Sequence, residues 1–171
     1  MQISDDFYRQ MAAHYIAADD KLRVADAIAQ FCQYGIFFGV IPESQPERLK
    51  GFDGRESYWW IVAAISEYAE RHGIVSNQQV ANIMHIHRNT VWVATKAAQL
   101  RGWLTKIRHS SKGTTYEPMN TSEVPDFIKL IVKEIFDLTP DSPEVRRAMQ
   151  NPLKLEWTAD YQPVPLIKPR S

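Results

Sequence analysis

Between Ser76 and Gly102 the chain has room for two helices and almost nothing between them. Ser76 with Gln79 three residues on is the pattern of a capping box, in which each side chain satisfies an orphan backbone donor at a helix start. It predicts a short helix over residues 77–84. A second helix opens with Arg88-Asn89-Thr90 and runs to about Arg101, where Gly102 suits the stop. Only His85-Ile86-His87 remain for the joint, and so short a turn forces the helices to meet at a steep angle, as in a helix-turn-helix. Ile86 would point inward and plug that angle, and His87 would cap the second helix.

Two histidines two residues apart also raise the question of a metal. A structural zinc site needs four ligands and a catalytic one three. Cys32 is the single cysteine, His14, His72 and His109 are scattered over three other elements, and no carboxylate lies within 14 residues of the pair. The sequence therefore predicts no metal and no other cofactor.

Charge singles out the same region. The chain of 171 residues has 20 basic and 20 acidic residues. Residues 71–116 nevertheless contain seven basic residues (Arg71, Arg88, Lys96, Arg101, Lys106, Arg108, Lys112) and no Asp or Glu, leaving 13 basic against 20 acidic elsewhere. Such an asymmetry makes a directed field that steers polyanions even when the molecule as a whole is neutral.

The rest of the chain has a simple plan. Ser4-Asp5-Asp6 reads as a helix start with Phe7, Met11 and Tyr15 following at helical spacing. Asp19-Asp20 restarts a helix carrying Leu22, Ala25, Ile28, Ala29 and Cys32, closing near Gly35 or Gly39. Two prolines and two glycines make residues 41–55 a loop. Residues 57–73 form a strong helix ended by Gly73. After the two short helices, WLTKIR, HSSKG and TTYEPM read as strand, turn and strand. Residues 122–137 carry Phe127, Ile128, Ile131, Val132 and Ile135 on one helical stripe, a short helix follows over 142–150, and four prolines make the tail extended. The expected organisation is 1–54, N-terminal helices and loop; 55–120, the unit that holds the two short helices and the hairpin; 121–150, C-terminal helices; and 151–171, a proline-rich tail. No window of 18 uncharged apolar residues exists, so no membrane span is expected, and one cysteine suits a reducing cytoplasm.

The run SNQQVANIMHIHRNTVWVATKAAQLRGWLTKI resembles the winged helix-turn-helix of bacterial transcription regulators. Ala81, Met84, Ile86, Arg88, Thr90, Val91, Gly102 and Leu104 carry the likeness, which covers residues 75–119, and the surrounding plan is similar to the MarR type. The resemblance implies a mainly α fold: a winged helix-turn-helix with a two-stranded β-wing, flanked by N- and C-terminal helices that form a dimer. Ala98 stands where a leucine is usual, leaving a gap for Leu100 or Trp103 to fill.

Read as a grip on double-stranded DNA, the helix from Arg88 would enter the major groove by its N-terminus. Arg88 and Asn89 suit guanine and adenine in two-point fashion, and Val93 would touch a thymine methyl. Thr90 and Asn77 or Gln78 would sit nearer phosphates at helix starts, with Lys96 against the backbone further along, and the capping His87 belongs to the same DNA-facing set. Trp92 would either stack on sugars or pack on a neighbouring helix. Arg108, His109, Ser110, Ser111 and Lys112 form a polar tip for the minor groove or flanking phosphates. No nucleophile–base arrangement or phosphate loop persuades, so the chain is not expected to be an enzyme. The leading expectation is a homodimeric, sequence-specific regulator acting as a repressor, with a small-molecule effector among Phe31, Tyr34, Phe37, Phe38, Trp59 and Trp60 if those aromatics are more than core. The alternatives are a plasmid or phage replication or partition factor, and a winged helix that binds protein through Trp92 and Val93.

Overall fold

A computed structural model describes residues 5–37, 56–73, 75–110, 113–118, 124–151, 155–157 and 163–165. Its helices are α1 (Asp5–Ala17), α2 (Lys21–Phe37), α3 (Glu56–His72), α4 (Asn77–Met84), α5 (Arg88–Leu100), α6 (Asp126–Asp137) and α7 (Pro143–Gln150). The expected loop over 41–55 lies outside the described residues. Helix α2 runs through Gly35, and its start is held by Asp20, whose Oδ1 accepts the Arg23 amide at 3.3 Å. Helix α6 begins after Pro125, later than residue 122; proline lacks only an amide that a helix start leaves unused anyway.

Helix α1 packs against both α6 and α7, and α3 packs against α5 and α6. Arg9 on α1 spans its two neighbours, reaching Glu144 of α7 at 3.1 Å and Glu134 of α6 at 3.9 Å. Burial does most of the work. The α6 stripe of Phe127, Ile128, Ile131, Val132 and Ile135 is fully inside, and each such side chain contributes about 1.5–3 kcal/mol. That stripe is spent within the chain, so a contact between copies would have to use other surfaces.

The expected class, a winged helix-turn-helix with a two-stranded β-wing, is corrected here. Among the described residues the body is a bundle of helices without a sheet layer. Among the described core side chains, only Val75, Trp103, Leu104, Val124 and Leu138 come from outside a helix. The reason lies at the start of the segment read as a wing strand. Strand neighbours face opposite sides, yet Trp103 and Leu104 are both 2% exposed, because the end of α5 turns both into the helical core. Two backbone ladders do run antiparallel, β1 (Leu104–Ser110) with β2 (Gly113–Pro118) and β3 (Leu155–Trp157) with β4 (Pro163–Pro165). Leu104 is the one residue on them whose side chain is described, and the described core is otherwise built from the helices and the residues beside their ends.

No helix among the described residues is long and apolar enough to cross a membrane.

Candidate nucleic-acid interface

The α4–α5 unit is set by its caps. Ser76 Oγ accepts the Gln79 amide at 3.2 Å, and Gln79 Oε1 accepts the Ser76 amide at 2.8 Å, so the capping box forms in both directions. Helix α4 ends on His85 in the left-handed region (φ 54°, ψ 45°), with the Ile86 amide reaching back to the Ala81 carbonyl at 3.1 Å. His87 returns to extended backbone, and its Nδ1 accepts the Asn89 amide at 3.0 Å to open α5. Each histidine therefore has a backbone task in the joint. Ile86 is partly buried against the core. Among the described residues, no three His, Cys, Asp or Glu side chains gather into a metal-holding group.

A third tie comes from far away in sequence. Tyr15 on α1 donates its hydroxyl to the Met84 carbonyl at 2.7 Å, satisfying one of the carbonyls that a helix end leaves without a partner. The same ring stacks on Trp60 of α3, with centroids 5.6 Å apart and planes 8° from parallel. Burial pushes the Tyr15 hydroxyl well above its ordinary pKa, so it stays a donor. Sequence reasoning placed Tyr15 on the inner face of α1 but missed this bond. Its only sequence signal is a hydroxyl on an otherwise apolar face, which must find an acceptor if buried.

Helix α5 buries Val91, Ala94, Thr95 and Ala98. Its end is a Schellman arrangement: Gly102 at φ 75° donates to the Gln99 carbonyl at 3.1 Å, and Trp103 donates to the Ala98 carbonyl at 2.9 Å. The motif brings the Trp103 backbone to Ala98, and both side chains are buried while Leu100 is 90% exposed.

The opposite face of α5 is open. Arg88, Asn89 and Lys96 are exposed, Trp92 is 52% and Val93 47% exposed, and Lys96 Nζ lies 5.5 Å from the centre of the Trp92 ring. Trp92 is thus about half covered, and its outer half is open to a ligand. Thr90 is partly buried at the start of the helix. On α4, Gln78 is exposed and donates to Asn82 Oδ1 at 2.7 Å, while Asn77 is partly buried with its Oδ1 unpartnered among the described residues. The structure thus brings His87, Arg88, Asn89, Trp92, Val93 and Lys96 together at and along α5, with Gln78 on the preceding helix. Arg108, His109 and Ser110 are placed by backbone only, opposite Thr115, Thr114 and Gly113. Ser111 and Lys112 lie outside the described residues.

Charge pairing sharpens the picture. Arg71, at the edge of the acid-free stretch, is held by Asp137 and Glu67, each at 2.8 Å. Arg88 and Lys96 join no ion pair among the described residues. Of the aromatics considered for an effector pocket, Trp60 is stacked in the core, Phe31 stacks on Phe7 at 6.2 Å and Trp59 is partly buried against the core. The side chains of Tyr34, Phe37 and Phe38 are outside the described residues.

No family model, curated protein or solved structure matches the chain. The likeness to MarR-type regulators rests on the residues quoted for it.

Proposed function

We propose that the protein is a sequence-specific, double-stranded DNA-binding transcription regulator, a repressor, which reads its site with α5 and acts as a homodimer. The observation that supports this most is the outward face of α5, where Arg88, Asn89 and Lys96 stand exposed within a stretch that holds no carboxylate from residue 72 to 116. A helix of this width fits a B-DNA major groove, and cations that join no ion pair among the described residues are available to phosphates and guanine edges. Two copies would present two such helices to a pseudo-palindrome about one helical turn apart.

A second reading draws on Trp92, Val93 and Leu100, the exposed apolar residues of the same face: α5 would dock on an apolar partner protein. Binding of random duplex across a salt series separates the two. The regulator reading requires affinity that falls linearly with log salt, because neutralised phosphates release counterions, and a pseudo-symmetric motif after selection from random DNA. Absence of binding at low salt removes it and leaves the protein-docking reading.

A further inference from the structure

We infer that Asn89 and Val93 form a specificity-determining pair that selects a duplex with a thymine methyl under Val93 and an adenine within about two base pairs of it under Asn89. This rests on the DNA-binding reading above and specifies what that face reads.

The buried residues Val91, Ala94, Thr95 and Ala98 fix the rotation of α5. At 100° per residue, the line directly opposite them passes through Asn89, Lys96 and Leu100, with Val93 close beside it. Arg88 and Trp92 stand to one flank. The Lys96 ammonium lies over the Trp92 ring, so its chain leans toward that flank and leaves Val93 uncovered, at 47% exposure. The floor of the groove presented to a duplex is therefore an amide followed, one turn later, by an isopropyl group.

Base chemistry then narrows the match. In the major groove the thymine C5-methyl is the one apolar group that projects from a base edge, cytosine carrying only a hydrogen at that position and the other features being donors and acceptors. Valine satisfies neither donors nor acceptors, so over guanine or cytosine it would strip water from polar groups without replacing it. Over thymine it gains methyl contact. The Asn89 amide offers one donor and one acceptor side by side, which fits adenine N7 and N6. Four helical residues rise about 6 Å and the duplex advances about 3.4 Å per pair, which sets the spacing at about two pairs.

The test uses the full chain. A duplex selected from random sequence is rebuilt with single thymines replaced by deoxyuridine, which removes the methyl and keeps the pairing. One position per half-site should lose about threefold to fivefold in affinity, and Val93→Ala should bind the thymine and uracil forms equally. Asn89→Ala should lose its preference for adenine at the neighbouring position. Both side chains are exposed, and unchanged thermal melts establish that the variants are folded. Sequence-selective binding that ignores every thymine-to-uracil change overturns the pair and leaves the regulator reading intact. Binding without sequence preference also overturns it. Failure to bind any duplex at low salt removes the reading beneath it.

Discussion

His85 shows how one residue settles the geometry of the joint. A β-carbon in the left-handed region crowds the backbone, at a cost of about 1–2 kcal/mol, and His85 sits there at φ 54°. His85→Gly should therefore leave stability unchanged or raise it by up to about 1 kcal/mol, strain relief being offset by unfolded-state entropy. His85→Val, whose branched β-carbon tolerates that region least, should lower it by about 1–2 kcal/mol. Urea unfolding measures both, and a loss with glycine as large as with valine would show that the imidazole matters more than the turn. Tyr15 offers a cleaner subtraction. Tyr15→Phe keeps the stack on Trp60 and removes only the donor to Met84, leaving a buried carbonyl bare. It should cost about 1–3 kcal/mol, again by urea unfolding, whereas a surface tyrosine would cost close to nothing.

At the level of elements, α4 and α5 were legible because their signals are local. Ser76 with Gln79, the short joint and Gly102 are each a backbone requirement written in one or two residues. Gly102→Ala tests the last of these. A β-carbon there meets nothing within 4 Å, so the expected loss of about 1–2 kcal/mol would be purely the strain of a positive φ. A destabilisation seen by thermal melting without change in DNA affinity is the outcome that fits. Arg88→Ala should do the reverse, leaving the melting temperature alone and weakening a selected site by about 1–3 kcal/mol with relaxed sequence preference. Equal loss on every sequence in a binding titration would make Arg88 a phosphate contact. What the sequence did not disclose depends on distant partners. Alternation in WLTKIR suggested a strand, and a ladder does begin at Leu104, but that Trp103 and Leu104 would both be buried at the end of α5 was not written in the alternation. How far Trp92 stands open was not legible either, because the direction of a helix face depends on which neighbours bury the other side. The α6 stripe was legible as apolar; that it would be consumed by α1 and α3 was not.

Across the whole molecule, the helical body ties the N-terminal helix to both ends of the chain's core, and acid should loosen it. Burial lowers His14 on α1 from 6.5 to about 4. Above pH 6.5 the folded and unfolded states are alike at this residue. Between 6.5 and 4 the unfolded chain takes up a proton that the folded one refuses, so stability falls as pH falls. The loss attributable to His14 should be on the order of 1–3 kcal/mol by the lower end of that window. Urea midpoints at pH 7 and pH 5 should differ accordingly, and His14→Gln should flatten the difference; an unchanged slope in that variant would assign the effect to other groups.

The hydroxyl that α1 lends to α4 has a consequence for anyone trimming the molecule. A fragment excised at residue 55 would keep α4 and α5 in sequence, but it would forfeit the donor at Met84, the ring stacked on Trp60 and the α1 surface that α6 packs against. The α4–α5 pair leans on distant sequence; its joint is fastened by the N-terminal helix.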